Sequence, residues 1–166
     1  QRELINQQRA DCVRKLRKEF GSQFTGGLAH NAYTVRYYPD CLLEDPRLSD
    51  FHNYVQLMRK HSIGVATTGL HDSIGWKFAE YVAFSKAVVS EKLCFYVPEL
   101  EEGKNYLSFS TAEECVEQVS LLMQNKVLRE EFMMNNYQHY LHYMQPDVMV
   151  WRAISSALRL DSENPV

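Results

Sequence analysis

No apolar run in these 166 residues approaches the roughly 18–20 positions that a membrane-spanning helix requires, and no leader pattern opens the chain. Basic residues are not in excess: 18 Lys and Arg stand against 21 Asp and Glu, a net charge of −3. That balance excludes the phosphate-neutralising surface of a duplex-binding protein, and no nucleic-acid partner is expected. There is no internal repeat and no low-complexity tract. The four cysteines, Cys12, Cys41, Cys94 and Cys115, form no C-x-x-C pair. Scattered through apolar or mixed segments, they read as reduced core or near-core thiols of a cytoplasmic protein, and neither zinc nor another metal is expected. What the chain does have is apolar bulk, 45% hydrophobic and 12% aromatic residues, enough for a sizeable core. The expectation is one domain over 1–160 and a polar tail over 161–166. Opening on Gln1 rather than Met, the chain reads as an excerpt or a processed product.

Periodicity then orders the elements. Residues 2–19 place Leu4, Ile5, Cys12, Val13 and Leu16 near one helical face, with Gly21 as the stop. Residues 24–28 suggest a short strand, and 31–48 read as loop, with a strand or turn near Arg36–Tyr38 and Pro39 and Pro46 as punctuation. From Asp50 the apolar residues Phe51, Tyr54, Val55, Leu57 and Met58 recur at helical spacing, with Ser49 or Asp50 available as cap. Strands are expected at 62–67, 86–90, 93–97 and 105–109, and a helix over 74–84. Thr111 and Glu114 make a capping box for the next helix. Two more helices follow, over 126–143 and from about Pro146, which suits a first-turn position. In the first of these Tyr137, Tyr140 and Tyr143 form a stripe that reads as core or interface packing; Trp76 is expected against the sheet, with stacking on a base as the alternative, and Trp151 as an anchor. Short strands alternating with helices, apolar on both faces, indicate an α/β domain with a Rossmann-like, mainly parallel sheet and a helical C-terminal segment.

In such sheets ligands bind beyond the carboxyl ends of the strands. That directs attention to T-T-G-L-H-D-S-I-G-W-K-F-A-E-Y, residues 67–81. Thr68, Gly69, His71, Asp72 and Ser73 lie between an apolar strand and a helix start, where free N–H groups and the positive dipole end suit an anion. Gly69 and Gly75 allow close backbone approach, and Asp72 or Ser73 is a candidate cap. Lys77 in the first turn is unfavourable on dipole grounds, and a bound phosphate would reverse that penalty. Glu80 in an otherwise apolar helix needs a partner if buried, with Lys77 three residues away. His71 reads equally as a ligand-site residue or a loop hydrogen bonder. No Ser–His–Asp or Cys–His arrangement can be argued from the spacings, and a receiver-like reading wants an acidic cluster that is not visible.

D-S-I-G-W-K-F-A-E followed by Y-V-A-F-S-K-A-V-V resembles the E-P-F-G-x-x-x-x-E, A-M-A-x-G-x-P-V-V region of retaining GT-B glycosyltransferases. E-E-G-K-N-Y-L-S-F and T-A-E-E-C-V-E-Q-V resemble the turn, strand and helix that follow there, and the pieces together are most similar to the spore-coat-type branch. The resemblance, over roughly 50–145, implies the donor-binding C-terminal domain of a two-domain enzyme. It implies that Glu80 meets the nucleotide ribose, that Asp72 contacts the donor sugar, and that the backbone of Ser73, Ile74 and Gly75 meets the diphosphate. No metal or cofactor is implied, because helix ends and basic groups stabilise the leaving diphosphate. Lys77 and His71 are candidates for that role on physical grounds, with His71 and Asp72 nearest the chemistry.

The partners implied are a nucleotide-sugar donor and an N-terminal acceptor domain of the same chain. A cytoplasmic location is expected, with peripheral association of the full enzyme at the inner face of the membrane. Without the acceptor domain the fragment is expected to be inactive. Three departures from the pattern stand against this: Asp72 replaces Glu, Ser85 replaces Gly, and no basic pair is evident, Arg36 and Lys15 having no clear place on that motif. The missing basic pair and the Asp72 substitution favour a competing expectation, a non-catalytic binding module with a degenerate nucleotide pocket.

Overall fold

The computed structural model describes residues 1–163. The chain opens with α1 (Arg2–Phe20), which buries Ala10, Cys12, Val13 and Leu16 and stops at Gly21 (φ 51°), a conformation that glycine adopts without a Cβ clash. Next come the short α2 (Ala32–Tyr37) and α3 (Phe51–Lys60). The strands β1 (Ile63–Ala66), β2 (Ala87–Glu91) and β3 (Tyr106–Phe109) are all parallel, in the order β1-β2-β3. Between the first two lies α4 (Trp76–Ala83); α5 (Ala112–Gln124), α6 (Lys126–His139) and α7 (Pro146–Glu163) complete the chain. A π-helical turn, Tyr140–Met144, joins α6 to α7. The result is the α/β class read from the sequence.

Alternation along the strands divides the core in two. Ile63, Val65, Ala87, Val89, Leu107 and Phe109 face α1 and α5, where Leu16, Cys115, Val119, Leu122 and Phe132 fill the space. Ala66, Val88 and Tyr106 face α4, against Phe78 and Val82. Phe78 meets Tyr106 edge to face at 5.5 Å between centroids. A parallel sheet with helices on both faces needs apolar residues on both sides of each strand, which is why A-V-V reads as a continuous run.

At the amino edge of the sheet the packing turns polar. Asn136 of α6, fully buried, donates to the carbonyls of Lys86 (2.7 Å) and Asn105 (2.9 Å) and accepts from the Asn105 amide (3.0 Å). Asn105 in turn accepts from the Glu101 N–H at 3.0 Å. Among the described residues no buried side-chain polar atom lacks a partner.

Several expectations are corrected. Residues 24–28 do not form a strand; Leu28 makes a single bridge to Leu42. Residues 31–48 are not all loop: Asn31 accepts from the Tyr33 and Thr34 N–H groups, and Thr34 accepts from the Asn31 N–H, a reciprocal cap that starts α2. No strand forms over 93–97, where Phe95 and Tyr96 are exposed, because β3 takes the position beside β2. Neither Ser49 nor Asp50 caps α3 through its side chain. Thr111 accepts from the Glu114 N–H, but Glu114 reaches back to Ser110 rather than to Thr111, so half the expected box is made. The buried stripe of α6 is Phe132, Asn136 and His139, not the tyrosines, and Tyr137 is exposed. His139, stacked on Tyr143, is held neutral by burial, which lowers its pKa. Trp76 is 87% and Trp151 70% exposed, so neither anchors a core, and Cys94 is exposed while the other three thiols are buried. The helix α7 runs on to Glu163. Of the polar tail expected over 161–166, residues 164–166 lie outside the described residues.

Candidate functional site

The parallel strands point their carboxyl ends the same way, and the β1–α4 connection lies at that edge. Ala66 ends β1 and Gly75 precedes α4, so the loop 67–75 must turn the chain sharply. Gly75 sits so close to its start that a Cβ there would lie 2.9 Å from the Thr67 carbonyl oxygen. Likewise the Gly69 N–H donates to the Ser73 carbonyl (2.8 Å), and a Cβ on Gly69 would meet the Ser73 hydroxyl at 2.6 Å. These contacts bring Thr67, Gly69, Ser73 and Gly75 together. His71 and Asp72 form the tip, both exposed and both left-handed at φ 56° and 57°. Two consecutive non-glycine residues in that region store backbone strain of about 1–2 kcal/mol each.

The start of α4 carries no side-chain cap. Neither Asp72 nor Ser73 takes that position; Gly75 does, and the first turn closes through Phe78 N–H to the Gly75 carbonyl at 3.0 Å. Ile74 packs its side chain into the core on the α4 side, which fixes the helix entry. The N–H groups and positive dipole end of α4 therefore face outward beside Trp76 and Lys77, both exposed.

One turn on, Glu80 does find the partner its setting requires. Its Oε2 accepts from the Tyr54 hydroxyl of α3 (2.8 Å) and from Lys77 Nζ (3.2 Å), and Lys77 also sits over the Tyr54 ring, 3.2 Å from its centroid. Burial first, then the charges and hydrogen bonds around it, raises the Tyr54 hydroxyl well above the ordinary tyrosine range. Tyr81 beside it is pushed up to about 12, chiefly by burial. Both phenols stay protonated, and Tyr54 stays a donor to Glu80.

Two residues that hold the site escaped the sequence reading. Arg9, on α1, donates to the Thr67 hydroxyl (2.9 Å) and to the Thr68 carbonyl (3.0 Å), bringing a guanidinium to the carboxyl edge of β1. Glu91, the last residue of β2, accepts from both the N–H and the hydroxyl of Thr68, the latter at 2.9 Å. A carboxylate directly after A-V-V-S was the available signal for Glu91. For Arg9 none existed, since only the packing of α1 across the sheet brings residues 58 positions apart together. Arg36 and Lys15 lie elsewhere: Arg36 sits over Tyr37, and Lys15 pairs with Glu113 at 2.6 Å.

Among the described residues no group of three His, Cys, Asp or Glu side chains is placed to hold a metal ion, and no helix is long and apolar enough to cross a membrane. The loop and the uncapped helix start can bind an anion through backbone N–H groups, with Lys77 and Arg9 as nearby cations.

No family model matches the chain, and no curated protein matches it. Among solved structures it is similar to the C-terminal domain of a glycosyl transferase group 1 family protein (LpcC) from Francisella tularensis. The identity is 14% and the TM-score 0.49, with 88% of this chain and 83% of that one covered.

Proposed function

We propose that this domain binds a nucleotide-diphosphate sugar at the 67–80 loop and helix start, as the donor half of a GT-B-type glycosyltransferase. The observation that carries the reading is the uncapped α4 N-terminus at the carboxyl edge of a parallel sheet, within the stretch whose D-x7-E resembles the E-x7-E region of such enzymes. The diphosphate is bound by the N–H groups at Gly75–Lys77, with Lys77 and Arg9 as countercharges. The ribose hydroxyls are taken by Glu80, whose Oε1 makes no hydrogen bond among the described residues. Asp72 and His71 at the loop tip contact the sugar, and Thr68, Gly69 and Ser73 shape the turn that presents them. Departure of the nucleotide diphosphate is assisted electrostatically, with no metal.

Acceptor contacts come from a second domain of the full enzyme, so the 166 residues alone bind donor without transferring it. The enzyme transfers a hexose-like sugar with retention of configuration, in polysaccharide synthesis at the cytoplasmic face of the membrane. Calorimetric titration with UDP, GDP and dTDP tests the reading. Saturable binding to one of them, weakened at least tenfold in Glu80→Ala, supports it; no heat at millimolar nucleotide refutes it.

One observation favours a second reading. Glu80 Oε2 is already engaged by Tyr54 and Lys77, which suits a structural role in joining α3 to α4 and a binding module whose nucleotide pocket has degenerated. That reading predicts no nucleotide binding and a loss of stability in Glu80→Ala.

A further inference from the structure

Lys86 is the only lysine that the fold buries, with 8% of its surface exposed. Its backbone is held on both sides: the N–H donates to the Tyr81 carbonyl (2.9 Å) and the carbonyl accepts from Asn136 (2.7 Å). Its ammonium is not held. Among the described residues no carboxylate and no hydrogen-bond acceptor meets it, and burial, unopposed by any neighbouring charge, lowers its pKa. A buried cation without a counterion is costly, and folded proteins pair such groups. No fully buried side-chain polar atom lacks a partner among the described residues, so Nζ keeps an opening. Lys86 lines a cavity of about 340 Å³.

That cavity is bounded by α1, α3, α5 and β1, and none of residues 67–80 lines it. Its volume falls at the small end of the range for small-molecule sites, about 300–1,000 Å³. Leu16, Phe20, Leu57 and Met58 give it apolar walls. The titratable groups that share it with Lys86 are Tyr54 of α3, His61 just after α3, Tyr81 of α4 and Arg129 of α6, and no Asp or Glu is among its lining. Tyr54 is turned to Glu80 (2.8 Å), and Arg129 donates to the carbonyls of Leu122 (2.8 Å) and Met123 (3.1 Å). Lys86 is therefore the cation left without a partner. We propose that this cavity binds a small apolar monocarboxylate, its carboxylate paired with Lys86 and its hydrocarbon body against Leu16, Phe20, Leu57 and Met58. A carboxylate supplies the charge-assisted acceptor that the site lacks, in surroundings where such a pair is strong. A free inorganic anion would gain nothing from the apolar walls, and a neutral hydrocarbon would leave the ammonium unpaired. This inference does not depend on nucleotide binding.

Titration of the intact chain with decanoate, and with decanol as the neutral control, tests it, followed by NMR of carbon-labelled lysine. The expected result is saturable binding below millimolar decanoate, at least tenfold tighter than decanol. In the bound state the titration midpoint of Lys86, read at Cε, rises by about one pH unit or more, the counterpart of that tenfold preference. Decanoate affinity then falls as the pH rises through the midpoint of the free protein, because the charged amine is the form that binds. Lys86→Met keeps the length of the side chain and removes the charge. It should weaken decanoate at least tenfold and leave decanol unchanged, the latter showing that the cavity still forms. The midpoint is read on the unaltered protein, so it decides the matter even where the variant does not fold. No binding at millimolar decanoate, decanoate and decanol bound alike, or an unmoved midpoint overturns the proposal. So does undiminished decanoate binding in Lys86→Met.

Discussion

The two ends of the sheet are built to opposite specifications. At the amino edge, Asn136 and Asn105 saturate one another and the carbonyls of Lys86 and Asn105, all out of solvent. At the carboxyl edge, the loop 67–75 is strained at two exposed residues, the helix after it is uncapped, and its ties to the body are Arg9 and Glu91. Rigidity is concentrated where no nucleotide is expected, and unsatisfied hydrogen-bonding capacity where one is. A parallel α/β sheet leaves its carboxyl-edge loops free to vary, while its amino edge is locked by the core.

Breaking the amino edge should have the largest consequence. Asn136→Ala strands two buried carbonyls and the Asn105 amide and should lower the unfolding free energy by about 3 kcal/mol, read as a reduced urea midpoint. At the carboxyl edge, Arg9→Ala should cost about 2 kcal/mol or less, and the effect should be local. Faster amide exchange at Thr68 and Gly69 with little change at Val88 and Val89 is the signature. Equal loosening of the two regions would show that the edges are not independent.

The smallest effect sharpens the contrast by stabilising. Ser85 ends α4 at φ 54°, with its own N–H donating to the Val82 carbonyl (2.8 Å) and the Lys86 N–H to the Tyr81 carbonyl (2.9 Å). That is a Schellman turn, whose left-handed position favours glycine. Ser85→Gly should therefore raise the unfolding free energy by about 1 kcal/mol, seen as a higher Tm, and leave ligand affinity unchanged.

The elements that carry a clear period were legible in the sequence. Those of α1, α3, β1, β2, β3 and α5 follow from apolar spacing and stop signals, and each lies within a few residues of its expected place. What escaped depended on contacts distant in the chain. The strand expected at 24–28 does not form beyond the single Leu28–Leu42 bridge, because a strand needs a paired neighbour, and α2 needs the Asn31–Thr34 exchange of hydrogen bonds, which composition alone does not display. The loop at 67–75 was legible because an apolar strand, two glycines and a helix start adjoin one another. Arg9 and the Tyr54–Glu80 contact were not, since each joins separate elements, while Glu91 left only the signal of a carboxylate directly after A-V-V-S. Asn105, read from the sequence as the start of a strand, lies just ahead of β3, with its side chain spent on the buried amino edge.

The most direct test of the contrast between the edges is amide NMR of the chain titrated with UDP, GDP and dTDP. Saturating shifts at Thr68, Gly69, Gly75, Trp76 and Lys77, with Lys86, Asn105 and Asn136 unmoved, are the predicted result. Shifts centred on the amino edge, or none at millimolar nucleotide, would contradict the account.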